Sequence, residues 1–331
     1  MAGRRSSSAR SPCPKPGDWG ECSVSHSRLI KLQTQGLLPP AFAVPVRAGI
    51  DTYNGGEQAE RSPNPSPEER ICLIPHLLRG IGFPIHPFLR GLLEFYGLQL
   101  HNFTPASVLH IAGYVALCEL FLGCEAHFGL WKKMFCLVPR NQGESLCQVG
   151  GAEVWRITET GYLSSTPKKA QENWASEWSY IDDVPLPDPV RTGLPKFSNT
   201  PPRAHLSWRP RGSQEEDTRE IHFLMSTIKL LAKSGLTIFE VMAICVMRGV
   251  QPLQYRGNPM WHFNEEDDAT RCGRKGPDSA TALARILSDL YKEEEEDFLH
   301  IKPRDGFSMY NPPNWVSHHL FSRFTYCGIL C

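Results

Sequence analysis

Two adjacent aspartates, in the run Tyr180-Ile181-Asp182-Asp183, are the sharpest chemical signal in the sequence. Paired carboxylates at a hairpin turn can hold the two metal ions of a nucleotidyl transfer. That chemistry needs an apolar strand after the acids, and here the chain continues Val-Pro-Leu-Pro-Asp-Pro-Val, whose prolines withhold the ladder donors. The setting argues against the motif, which stands only in its structural context. Asp182 and Asp183 could also be combined with Asp188, Glu265, Glu266, Asp267 and Asp268 into a metal-binding triad. Such triads take their acids from strand ends in a mixed sheet, whereas these lie in proline-rich or polar segments. The sequence has no G-x-x-x-x-G-K-[ST] phosphate loop, no H-E-x-x-H and no G-x-S-x-G. It also lacks any C-x2-C pair, which removes the zinc knuckle and the common zinc ribbon. No catalytic, cofactor-binding or metal-ligating residue is assigned, and no cofactor is expected.

Three weaker signals have structural readings. Asp278-Ser279-Ala280 has the residue types of an aspartic protease motif, but it follows Gly276-Pro277 and opens an amphipathic pattern, so an N-cap accounts for it. Glu119 lies in the apolar stretch Ala106 to Cys124. One carboxylate without a second catalytic group specifies no reaction, so the expectation is an ion pair with a basic partner such as Arg79, Arg90 or Lys132, or a place near solvent at the helix end. The cluster Arg271, Arg274 and Lys275 follows the acids Glu265 to Asp268, which cancel much of its field. A DNA-reading helix over 106–123 is excluded because it offers no Arg, Lys, Asn or Gln to base edges.

The elements that must position these residues are legible mainly as helices. Pro87 opens a helix carrying Phe88, Leu89, Leu92, Leu93 and Tyr96 at helical spacing, and Gly97 closes it. Thr104 and Pro105 supply the N-cap and first position of a second helix that ends at Gly123, antiparallel to the first. Glu144 to Thr158 places Gly150-Gly151 between two β-prone runs, the signal of a two-residue hairpin. Ile221, Leu224, Met225, Ile228 and Leu231 mark another helix, broken at Ser234-Gly235 and followed by one from Ile238 to Met247. A last helix begins at Asp278 and runs into the acidic stretch Glu293 to Asp297, a solvated face.

The fold expected is mainly α with a small β-hairpin element (α+β): two helical lobes joined by a Pro-rich segment, with a disordered N-terminus. The boundaries read as 1–68 disordered, 69–183 a helical lobe plus hairpin, 184–212 the linker, 213–315 a C-terminal helical lobe and 316–331 an unpatterned tail. The opening MAGRRSSSARSPCPKPG is basic and rich in Ser and Pro. It reads as a disordered tail, with a plastid-type transit peptide or a weak basic arm as alternatives.

Composition narrows the partners. The 331 residues carry 35 Lys and Arg against 35 Asp and Glu, so no global charge attracts nucleic acid or anionic lipid. Hydrophobic residues make up 41%, enough for a packed core. Eleven irregularly spaced cysteines do not form a secreted disulfide framework and read as reduced thiols in an intracellular protein of the nucleus or cytoplasm. Although the 106–124 stretch is long and apolar, Glu119 makes a buried soluble helix the better reading and no membrane partner is expected.

The stretch GFPIHPFLRGLLEFYGLQLHNFTPASVLHIAGYVALCELFLGCEAHFGLWKKMFCL, with the later VGGAEVWRI, GYLSSTPKKA, EWSYIDDVPLPDP, VMAICVMRGVQPLQYRGNPMW and DDATRCGRKGP, resembles the gypsy-type transposase domain of retrotransposon-derived proteins in grasses. The resemblance runs from about Leu73 to Trp315 and is most specific over Pro87 to Leu137. It implies an origin in a plant long-terminal-repeat element. No catalytic residues are carried over from the family, and the long C-terminal coiled-coil or acidic extension of many relatives has no counterpart in the pattern. The expected role is non-catalytic: Gag-like or scaffold-like self-association, or contact with other retroelement proteins. An apolar first lobe with Phe88, Phe95, Phe103, Phe128 and Trp131, some exposed, motivates it. The alternatives are a metal-dependent enzyme of DNA transposition, with acids converging on Mg2+, and a nucleic-acid-binding module using residues 1–17.

Overall fold

A computed structural model describes residues 17–34, 37–39, 45–51, 58–142, 145–164, 173–183, 192–204, 208, 219–247 and 251–256. The expected Asp278 helix, Asp188, the acids Glu265 to Asp268, the Arg271 cluster and the 316–331 tail lie outside the described residues. In chain order the elements are α1 (His26–Thr34), β1 (Val46–Ala48), β2 (Ile50–Asp51), β3 (Gln58–Ala59), β4 (Glu69–Leu73), α2 (Ile74–Leu77), α3 (Pro87–Tyr96) and α4 (Pro105–Ala116). They continue as α5 (Phe128–Met134), β5 (Phe135–Pro139), β6 (Asn141–Gln142), β7 (Ser145–Leu146), β8 (Ala152–Arg156), β9 (Trp178–Asp182), α6 (Arg219–Lys233) and α7 (Ile238–Met247).

The helix punctuation behaves as its chemistry dictates. Pro87 occupies the first position of α3, where a missing N–H costs nothing, and the Nδ1 of His86 accepts from the Phe88 N–H at 3.1 Å. Gly97 ends α3 at φ 63°, a left-handed conformation open to glycine. Leu89, Leu92, Leu93 and Tyr96 make its buried face. In α4 the Thr104 hydroxyl accepts from the Ser107 N–H at 3.2 Å, and Pro105 follows at the first position. Beyond Ala116 the helix widens into a π segment, Leu117–Leu122, stopped by Gly123. Pro105–Leu122 is long and apolar enough to cross a membrane, but 89% of it is buried within the protein.

The mainly helical expectation with one hairpin is overturned. Helix accounts for 42% and strand for 18% of the described residues, too much strand for a single hairpin. β9 is the centre of a three-stranded antiparallel sheet in the order β1-β9-β4, with Val46 opposite Ile181 and Ile71 opposite Tyr180. These strands lie far apart in sequence, and β1 has only three residues, so no local alternation announces them. Gly150-Gly151 is not a hairpin turn. β8 pairs instead with β5, Val154 opposite Leu137, and the short hairpin is β6 with β7. The glycine pair serves a close approach: a Cβ on Gly151 would stand 2.0 Å from the Cys147 carbonyl oxygen.

The two-lobe division is corrected as well. Buried side chains from both halves form one hydrophobic cluster. α7 packs on α4, where a Cβ on Gly113 would lie 2.9 Å from the Ile238 Cγ2, and Leu253 bridges to Ile81. The Pro-rich segment is not merely a linker. Leu194 and Trp208 are buried in that cluster, and the Thr192 carbonyl accepts from the Ile85 N–H at 2.8 Å. Nor is the described part of the N-terminal region disordered. Trp19, Cys22, Val24, Leu29 and Leu32 join the core, and the Trp178 indole donates to the Gly20 carbonyl at 3.0 Å. Isolated apolar residues among Pro, Gly and Ser show no period, so their burial is decided by distant partners.

Candidate functional site

Glu119 sits in the π segment, a helix distortion frequent at functional sites, and is 3% exposed. Arg256 donates from Nη2 to one carboxylate oxygen at 2.6 Å, and His86 reaches the other from Nε2 at 3.0 Å. Because the His86 Nδ1 accepts from the backbone, the hydrogen-bond network assigns a proton to Nε2, which donates to Glu119. The Arg256 Nη1 donates to the carbonyls of Gln251, Pro252 and Gln254. The carboxylate is thus saturated by charged and polar partners and joins the start of α3, the end of α4 and residues 251–256. Arg256 stands outside the trio Arg79, Arg90 and Lys132 that helical neighbourhood suggests, since it is 137 residues away in sequence.

The Asp182-Asp183 pair is placed at the end of β9. Asp183 accepts from the Thr192 N–H at 2.9 Å and hydroxyl at 2.7 Å, and pairs with Arg70 at 2.9 Å. Tyr180 is buried, with its hydroxyl donating to Glu60, and the Arg47 guanidinium lies 3.7 Å over its ring. The motif is spent on sheet packing. Among the described residues, no three His, Cys, Asp or Glu side chains gather to hold a metal ion.

A cleft of about 430 Å3 opens between the first half of α4 and β8, within the size range of ligand pockets, about 300–1,000 Å3. Ser107, His110, Glu153, Trp155, Arg156 and Tyr162 stand in its wall. The Ser107 hydroxyl accepts from the Val154 N–H at 2.9 Å and ties helix to strand. Trp155 is 55% exposed, and its indole N–H donates to Glu153 at 3.1 Å. Arg156 donates to the Leu163 carbonyl at 2.6 Å. Neither the His110 Nδ1 nor the Tyr162 hydroxyl, both buried, has a hydrogen-bond partner among the described residues. Burial, helped by the nearby Arg156 charge, lowers His110 to about 4 and keeps it neutral at physiological pH. Burial also pushes the Tyr162 hydroxyl well above its ordinary range. Sequence reading missed this cleft because its walls come from two elements whose pairing the sequence does not announce. Trp155 is of a residue type that ordinarily packs in a core, and its exposure is a tertiary fact.

Residues 71–139 match the model of a family described as "Putative gypsy type transposon". The match begins in β4, ends with β5 and contains His86, Glu119 and the α4 side of the cleft, whereas β8 and Arg256 lie beyond it. It encloses the Pro87 to Leu137 stretch singled out above, and the chain therefore carries a gypsy-type transposon-related domain. No curated protein and no solved structure matches the chain.

Proposed function

We propose that this retrotransposon-derived chain is a non-catalytic, Gag-like or scaffold-type protein that associates with copies of itself. The observation that carries the reading is the two-sided apolar character of α6. Ile221, Leu224, Ile228 and Leu231 are buried on one side, while Phe223 and Leu230, seven residues and so about two turns apart, are 55% and 46% exposed on the other. Phe95 on α3 is a further exposed aromatic, 49% accessible and edge-on to Phe128 at 4.6 Å. Of the aromatics named from the sequence, Phe103 and Trp131 are core residues. A non-catalytic role accords with the engagement of Glu119 and Asp183 in structural contacts.

Light scattering of the full chain over a wide concentration range tests this. Dimers or larger species are expected, reverting to monomer in Phe223→Glu/Leu230→Glu, whose exposed positions tolerate charge. A chain that stays monomeric at the highest concentration overturns the reading.

A further inference from the structure

Two cysteines face each other where the π segment ends. Gly123 closes that segment at φ 63°, and the N–H groups of Gly123 and Cys124 both turn back to the Cys118 carbonyl, that of Cys124 at 3.1 Å. A left-handed helix stop ordinarily brings the side chain just beyond the glycine onto the last turn. Here both side chains so placed are free thiols. Cys118 hydrogen-bonds to Cys124, and the Tyr114 hydroxyl lies against the same Cys118 thiol. Tyr114 is anchored in turn, donating to the His127 carbonyl at 2.7 Å. Residues joined by a direct backbone bond fall within the Cα separations that a disulfide accepts, roughly 4.4–6.8 Å, and thiols already in contact need little rotation to bond. The pair is asymmetric in access, because Cys118 is fully buried whereas Cys124 is half-buried beside the exposed Glu125.

We infer that Cys118 and Cys124 form a reversible oxidation site, a dithiol that closes to a disulfide when it meets a small disulfide such as oxidised glutathione. Cys124 is the sulfur reached from solvent. Its thiol gives up a proton and the thiolate attacks one sulfur of the oxidant, whose S–S bond breaks and releases one glutathione, which takes up that proton. Cys118 then attacks the Cys124 sulfur, its proton passes to the second departing glutathione, and the Cys118–Cys124 bond forms. Two protein thiols are oxidised by two electrons, and one glutathione disulfide is reduced to two thiols. Burial, and then the bond to Cys124, hold the Cys118 thiol well above its ordinary range, which makes it the resolving sulfur and not the first nucleophile. The closed bond ties the π segment, next to Glu119, to the stretch leading into α5.

The test equilibrates the full chain in glutathione buffers of graded ratio, alkylates it with N-ethylmaleimide under denaturing conditions, and maps the tryptic fragments by mass. Fragment 91–132 contains Cys118 and Cys124 and no other cysteine. In the folded chain it should become unalkylated and two hydrogens lighter, and dithiothreitol should restore both alkylation sites. Contact in the fold raises the effective concentration of one thiol at the other, so closure should occur at a ratio at least tenfold more reducing than in the urea-unfolded chain. Cys124→Ser, a near-isosteric change at a half-buried position, should leave Cys118 alkylatable and free of glutathione at every ratio. A fragment that stays reduced throughout, or that carries glutathione on Cys124 with Cys118 still free, overturns the inference. So does closure no easier than in urea, or glutathione on Cys118 in Cys124→Ser.

Discussion

Mild acid should destabilise this protein through its buried histidines, among them His76 and His101. His76 is fully buried and His101 is 3% exposed, and burial lowers both to about 3, with the nearby Arg79 and His101 adding to the effect at His76. In the unfolded chain each returns to 6.5. The unfolded state therefore binds more protons below that value, and stability is full above it and falls as pH drops. Between pH 7 and pH 5 the folded rings stay neutral while the unfolded ones charge, so each contributes a loss of about 2 kcal/mol, or about 4 kcal/mol for the pair, a large part of a typical folding free energy. The ordinary carboxylate range lies below this window, which isolates the histidines. Urea denaturation at pH 7, 6 and 5 at constant ionic strength measures the slope. The comparison protein is His76→Phe/His101→Phe, which keeps aromatic rings against Trp174, Trp19 and Phe197. It should lose about 4 kcal/mol less than the parent over the same interval. Equal losses in the two proteins, within about 1 kcal/mol, would refute the argument that burial holds these rings neutral.

Other outcomes follow from single contacts. Glu119→Gln leaves Arg256 buried without its counter-charge and should cost about 3–5 kcal/mol in denaturant titration, since breaking a buried pair strands a charge. An unchanged unfolding midpoint would sink the buried-pair account. Gly151→Ala drives a methyl into the Cys147 carbonyl, and a loss of at least about 1–3 kcal/mol is expected from overpacking. Asp183→Asn weakens the Arg70 pair and the Thr192 contacts and should cost about 1–3 kcal/mol, with Mg2+ leaving the melting temperature of parent and variant unchanged. A Mg2+-dependent rise in the parent alone would return Asp183 to metal chemistry.

Local chemistry was readable wherever a residue acts on its own neighbours. Pro87 and Gly97 bound α3, Thr104 and Pro105 start α4, and the buried positions Ile221, Leu224, Ile228 and Leu231 follow helical spacing, because caps and amphipathic faces depend on contacts within one element. Of the gypsy-type resemblance, read from about Leu73 to Trp315, the family model matches residues 71–139, which hold its most specific stretch.

Tertiary structure alone decided the partners. β9 joins β1 across more than a hundred residues, Arg256 reaches Glu119 from the far end of the described chain, and Trp19 and Trp208 enter the core from segments with no hydrophobic period. Trp155 and Trp178 are the same residue type in similar short strands, yet one is exposed beside a cleft and the other is fully buried. A strand or an ion carries no local mark of what it will meet, because pairing and burial are fixed by whichever surfaces fold against it.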